Sequence, residues 1–236
     1  MRIRAGSHND LAFGFMEMFV KDDYGVKLPT STPTIIDCGA NVGMALLYFK
    51  ARYPASRVIC FEPNPASCEL IEWHIRENRL QNVTLNRVAC GAAAGEASFF
   101  VNAKDSIVSS FYRERANADV EIKVPVVRLS ESIKGPVDLL KIDVEGAEWD
   151  IIQDLIASGK MPLIKSMIIE YHHQIKGQRS ALSGFLRMIE EAGYRYEVTS
   201  EISKHRRLTG GFQDVMIYAS QRGSAPAFRT SSAPPV

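Results

Sequence analysis

Ile35-Ile36-Asp37-Cys38-Gly39-Ala40-Asn41-Val42-Gly43 decides how the rest of the chain is read. An apolar run ends in an acid, two glycines follow, and from Met44 the pattern becomes helical. A buried strand, a glycine turn and a helix start form the unit that cradles nucleotide-like ligands in doubly wound folds. Outward from it, the spacing predicts strands at Thr34–Asp37, Arg57–Phe61, Val83–Val88, Val137–Asp143 and Ile164–Glu170. Helices are expected at Val42–Tyr53, Ala66–Arg79, Gly146–Ala157 and Ser180–Ala192.

That alternation places the chain in the α/β class, a mostly parallel sheet with helices on both faces. Tyr194–Thr199 and Gln213–Ala219 have no helical link and are expected as an antiparallel pair at the sheet edge. Ala97–Val101 and Glu121–Val127 read as an antiparallel β-insertion after strand three. The polar stretch 102–119 between them is either solvated surface or an active-site lid. Leu11–Val20 reads as a short helix within a lead-in segment, residues 1–33. Residues 34–220 form the domain, and 221–236, rich in Ser, Ala and Pro, a disordered tail.

A chain of 236 residues and net charge +1, with no basic stripe, gives no support to nucleic-acid binding. No apolar run approaches the length of a membrane span. Cys38, Cys60, Cys68 and Cys90 contain no CxxC pair and read as buried reduced thiols, which fits a cytoplasmic compartment. His8, His74, His173 and His205 are expected at the surface.

Two acids narrow the ligand. Glu62, at the tip of strand two in Glu62-Pro63-Asn64-Pro65, is placed to accept hydrogen bonds from the ribose hydroxyls of an adenosine. Asp37, just before the glycines, would repel a diphosphate and suits a cationic end, such as the amino group and sulfonium of S-adenosylmethionine. The spacing Gly39-x-x-x-Gly43 also departs from the G-x-G-x-x-G of an NAD site.

DCGANVG, FEPNP, KIDVEGAE and IIEYH, in that order and each at a strand tip, resemble the FkbM-type class I S-adenosylmethionine-dependent methyltransferases. The resemblance runs from about Thr34 to Ala219, most of the chain. It implies a Rossmann-like sheet of seven strands with the last antiparallel. It also implies that Gly39, Ala40, Asn41, Val42 and Gly43 line the methionine part of the donor. Glu62 would hold ribose, Pro63 and Asn64 would shape that turn, and Ala89 would lie near adenine. Ser109 and Ser110 match a serine pair of the family, where a substrate or cofactor contact is expected.

The remaining motif residues bring chemistry to the sheet edge. Asp143 and Glu145 are two apart after strand four, and Glu170 and His172 two apart at strand five; if extended, each pair faces one way. His172 or Glu170 is the candidate base for a hydroxyl acceptor. Asp143 would position the acceptor or the donor's amine, and Glu145 contact the substrate. Lys141 is expected as a buried ion-pair partner, Glu148 as a structural acid at a helix N-terminus. A divalent cation on Asp143, Glu170 and His172 is an alternative activation. The expected reaction is O-methylation of a small-molecule hydroxyl, on a sugar, glycolipid or polyketide-type acceptor. N-methylation, or cofactor binding without turnover, stays open.

Overall fold

The structure is a computed structural model, and it describes residues 1–6, 8–101, 109–111, 120–173, 181–199 and 213–223. Most of loop 102–119, His205 and the tail from 224 lie outside these residues, as do the side chains of His8 and its neighbours.

Seven strands form the main sheet: β1 (Thr34–Cys38), β2 (Arg57–Phe61), β3 (Val83–Asn86), β7 (Leu139–Ile142), β8 (Ser166–His173), β9 (Tyr194–Thr199) and β10 (Gln213–Gln221). Their order is β3-β2-β1-β7-β8-β10-β9. Every pairing is parallel except those of β10, which runs antiparallel between β8 and β9. The expected antiparallel pair is therefore present, with β9 as the edge and β10 one place inside it.

Alternation along the strands explains why both faces are covered. Ile35, Leu139 and Ile168 belong to one core with α2 (Met44–Arg52) and Ile71 of α3 (Pro65–Glu77). Ile36, Leu140 and Ile169 belong to the other, with Ile151 and Leu155 of α5 (Glu148–Ala157) and Phe185 and Ile189 of α6 (Leu182–Glu191). Among the described residues no helix is long and apolar enough to cross a membrane.

Residues 1–33 are built into the first of these cores. After α1 (His8–Phe15) and a π-helical turn at Met16–Val20, the side chains of Met18, Tyr24, Val26 and Leu28 are buried against α2 and the sheet. The Tyr53 hydroxyl donates to Val26 O and accepts from Leu28 N, both at 2.9 Å. The first residues lie along α3: Arg2 N donates to Asn78 Oδ1 at 2.6 Å and Arg4 N to His74 Nε2 at 2.9 Å. His74 is thus fully buried, against the expectation of a surface residue, because the lead-in covers its helix.

A second sheet covers the carboxyl edge beyond β3. It joins β4 (Ala89–Gly91), β5 (Gly95–Val101) and β6 (Val120–Arg128), with β5 and β6 antiparallel and β4 parallel to β6. The stretch expected as one strand, Val83–Val88, ends at Asn86, and the chain then changes sheets. A short helix, α4 (Leu129–Ser132), follows β6 and is tied to α5, since Asp154 accepts from Ser130 N at 3.1 Å and Arg128 Nε at 2.7 Å.

The glycine turn sits where β1 meets this edge. Gly39 and Ala40 both donate to Phe61 O, and Asp143 N donates to Cys38 O at 3.0 Å. Gly39 has φ +79°, and a Cβ there would stand 1.7 Å from the Asp143 carbonyl oxygen. Only glycine lets the two chains pass so closely. Gly39→Ala is expected to cost about 2–5 kcal/mol, from left-handed strain plus overpacking. Urea denaturation of the two proteins measures it, and a loss under about 1 kcal/mol would show that the turn yields easily.

Candidate active site

The strand tips line an open-sided cavity whose empty space, with the solvent at its mouth included, is about 510 Å³. Gly39 and Asn41 of the turn, Glu62 and Pro63 after β2, Ala89 of β4, Ser109, Asp143 and Glu145 line it. Phe61, Cys90, Phe99, Phe111 and Val144 complete the lining. Of these apolar residues, Phe99 belongs to β5 and packs edge-on against Phe111, with centroids 5.4 Å apart.

Glu62 is held at the cavity wall by two backbone amides. Asn41 N donates to Oε2 at 2.7 Å and Asn64 N to Oε1 at 2.8 Å. Burial nevertheless pushes its carboxyl up to about 7, against those hydrogen bonds and the pull of Lys141. Asn41 reaches this position with a left-handed backbone, φ +47°. Asn64 caps α3 through Ala66 N and its amide lies 3.4 Å from Ser109 Oγ, so it braces the wall from behind.

Asp37 sits under the turn. It is fully buried and is not among the cavity's lining residues. Lys141, opposite it in register on β7, places Nζ 3.1 Å from Asp37 Oδ1 and 3.3 Å from Asp143 Oδ2. The ammonium's hydrogen bond goes to Gly39 O at 2.6 Å, while the contact with Asp37 lacks hydrogen-bond alignment. Burial alone would discharge Lys141, but Asp37 and Asp143 together raise its pKa above the ordinary lysine value. Sequence reasoning put Asp37 against the donor; in the structure Asp143 is the acid of this pair that reaches the cavity. Ala40 and Val42 point into the core, and Gly43, φ +84°, starts α2 beside Ile71 and His74.

The acid–histidine cluster adjoins this wall. His172 Nδ1 lies 2.8 Å from Glu148 Oε1, and Glu148 also accepts from Gly146 N at 2.9 Å. Nε2 faces Glu145 Oε2 at 3.2 Å, Asp143 Oδ1 at 3.9 Å and Glu170 Oε1 at 4.0 Å. Burial would keep the imidazole neutral, but Glu145 and Glu148 outweigh it and hold the ring charged well above its usual pKa. Glu170 is raised well above the carboxylate range, by burial first and Asp143 next.

Two expectations about this cluster change. Glu145 does not arrive by strand alternation: β7 ends at Ile142, and Glu145 turns in with φ +57°. Its carbonyl accepts from Ser110 Oγ at 2.7 Å, so Ser110 is buried support while Ser109 meets the cavity. Glu148 is structural, as expected, and its partner is His172. Sequence reasoning missed the two phenylalanines, Phe99 on an expected insertion strand and Phe111 within the polar stretch 102–119.

The model of the methyltransferase FkbM domain matches residues 37–196. The chain belongs to the FkbM methyltransferase family. Among its relatives is the 2-O-methyltransferase NoeI of Sinorhizobium fredii, 32% identical over 164 residues, which span 60% of this chain and 64% of that protein. The 31-O-demethyl-FK506 methyltransferase FkbM of Streptomyces tacrolimicus is 25% identical over 229 residues, 80% of this chain and 83% of that one. A crystal structure of the methyltransferase FkbM from Methylobacillus flagellatus shares the fold, with TM-score 0.56 and 14% identity over 87% of this chain and 47% of that chain. The protein is accordingly an enzyme that transfers methyl groups.

The structure leans on the buried Lys141–Asp37 pair at its floor. Lys141→Met leaves Asp37 without its counter-charge in the interior, which is expected to destabilise the protein by about 3–5 kcal/mol. The double variant with Asp37→Asn should recover most of that loss. Equal stability of the single and double variants in urea would assign Lys141 no role against Asp37.

Proposed function

We propose that this methyltransferase uses S-adenosylmethionine to methylate a hydroxyl of a sugar, glycolipid or polyketide-type acceptor. The observation that carries the reading is the cavity wall running from Glu62 to Asp143. Glu62 presents a buried carboxylate to the ribose hydroxyls, and Phe99 and Phe111 offer apolar surface to an adenine beside Ala89. At the other end, Asp143 meets the donor's ammonium and sulfonium. The names of NoeI and the Streptomyces relative, both O-methyltransferases of stated position, support oxygen as the acceptor atom.

Methyl transfer from a sulfonium is an in-line displacement. Holding the acceptor oxygen about 3–3.5 Å from the methyl carbon supplies about 7–11 kcal/mol through orientation. The oxygen's lone pair forms the new C–O bond, the C–S bond breaks, and the hydroxyl proton leaves to a base. Glu170, behind the lining residues and 4.0 Å from His172 Nε2, is the group we assign to that proton, in the ionised form that burial and Asp143 disfavour. His172, fixed between Glu148 and Glu145, orients the acids around it.

Calorimetry with S-adenosylmethionine, S-adenosylhomocysteine and NAD tests the donor. Micromolar binding of the first two and none of NAD is expected, and the reverse would end the reading. Glu170→Gln should lower kcat by about 10²–10⁴-fold on a hydroxyl acceptor while leaving donor binding within about threefold. A product methylated on nitrogen would assign the other acceptor class.

Glu62 makes donor binding depend on pH. Its carboxyl titrates at about 7, and the charged form accepts the ribose hydroxyls. Lys141 lowers and Asp37 raises that value, and both lie in the fixed floor. The affinity for S-adenosylhomocysteine should therefore fall as pH drops below 7, by about tenfold per unit at the limit. Glu62→Gln should weaken binding at pH 8 and flatten the profile between pH 6 and 8. An unchanged slope in that variant would place the titration elsewhere.

A further inference from the structure

We propose that Asp143, Glu145 and His172 form a binding site for one hard divalent cation, magnesium or manganese, at the wall of the donor cavity. The ion's role rests on the methyltransferase reading, because its open positions would face the acceptor oxygen.

His172 carries the inference. The residue is 5% exposed, and its buried Nε2 has no hydrogen bond among the described residues. Glu145 Oε2 is 3.2 Å away, but without hydrogen-bond alignment. Nδ1 is fixed on Glu148, itself held by the amides of Gly146 at 2.9 Å and Val144 at 3.3 Å. A carboxylate that holds one imidazole nitrogen and aims the other at acids is the arrangement that orients a metal-bound histidine. The ring would enter as a neutral ligand, with Nδ1–H on Glu148, the Nε2 lone pair on the ion and the displaced proton released to solvent.

The distances suit the ion. One ligand atom from each of Asp143, Glu145 and His172 lies within 4.8 Å of the others. An octahedral ion about 2.1 Å from its ligands separates neighbouring ones by about 3.0 Å and opposite ones by about 4.2 Å. The 3.2 and 3.9 Å from Nε2 to Glu145 and Asp143 fall near and between these values. Asp143 meets Lys141 through Oδ2 and turns Oδ1 to the imidazole. A second group, Glu170, His172 and Asp214, shares the same ring. Asp143 and Glu145 line the cavity and Glu170 and Asp214 do not, so the first group has an entry path. Two carboxylates balance a dication, and oxygen donors with one nitrogen favour magnesium or manganese over thiophilic metals. Bound there, the ion would make the acceptor hydroxyl a better acid.

The test is titration of the EDTA-treated full-length protein with Mn²⁺, followed by electron paramagnetic resonance, with and without S-adenosylhomocysteine. One ion per chain is expected at a Kd below ~1 mM. Nitrogen coupling from one imidazole should appear in the wild-type signal, a readout that needs no variant. Glu145→Gln and His172→Gln should each weaken uptake by roughly tenfold or more. No uptake to ~1 mM, or bound Mn²⁺ without nitrogen coupling, overturns the proposal. Calorimetry with S-adenosylhomocysteine on the metal-free protein separates the two readings. Intact binding without Mn²⁺ uptake discards the ion and keeps the donor, whereas Mn²⁺ uptake without nucleoside binding discards the donor.

Discussion

One buried ammonium joins the parts of this site. Lys141 Nζ touches Asp37 on β1, Asp143 beyond β7 and the carbonyl of Gly39 in the turn. Taking such a charge out of water costs several kcal/mol unless its partners are close and well placed. The strands must therefore keep the register that sets Asp37 opposite Lys141. That register in turn brings the Asp143 carbonyl against Gly39, where no side chain fits. The turn's shape, the direction of Asp143 and the pairing of β1 with β7 are thus one constraint.

Charge accounts for what the floor does to a ligand. Lys141 lies against both Asp37 and Asp143, and of the acids in this region Asp143, Glu145 and Glu62 line the cavity. On the proposed reading, the donor brings the permanent sulfonium of S-adenosylmethionine to these acids. Once the methyl leaves, the sulfur is neutral and that part of the attraction is gone. In a low-dielectric wall the difference exceeds its value in water. On that reading, the acids that attract the charged donor hold its product, with a neutral sulfur, less strongly.

The sequence showed most of the sheet because its elements are set by local pattern. Apolar runs ending in Asp37, Glu62 and Asp143 mark strand tips, and tips of parallel strands share an edge. That logic placed Glu62 and Asp143 at the cavity, and Glu170 and His172 close behind it, while Ser109 came from the family resemblance. It failed where a side chain's direction depends on contacts distant in sequence. Asp37 reads as a ligand acid until Lys141, about a hundred residues on, takes its charge. Glu145 reads as a strand residue, yet a left-handed turn delivers it. His74 reads as exposed because nothing in α3 shows that Arg4 will cover it. Phe99 and Phe111 read as insertion residues because their function arises only when a second sheet folds over the edge.

Two segments beside the strand tips lie outside the four ordered motifs. On the donor side, Phe99, Phe111 and Ser109 come from the insertion. On the acid side, the lead-in contributes Tyr24, buried with its ring centroid 6.0 Å from Lys141 Nζ. Burial and the nearby charges of Asp143 and Glu170 raise the Tyr24 hydroxyl well above its ordinary pKa, so it stays neutral among acids. Such a group tolerates change in a way that Lys141 does not, since it leaves no unpaired charge when replaced. The strand tips are bound to each other through ion pairs and close backbone passage, while the walls are held by apolar packing. Substitution is therefore cheaper in the lead-in and the insertion than at the floor.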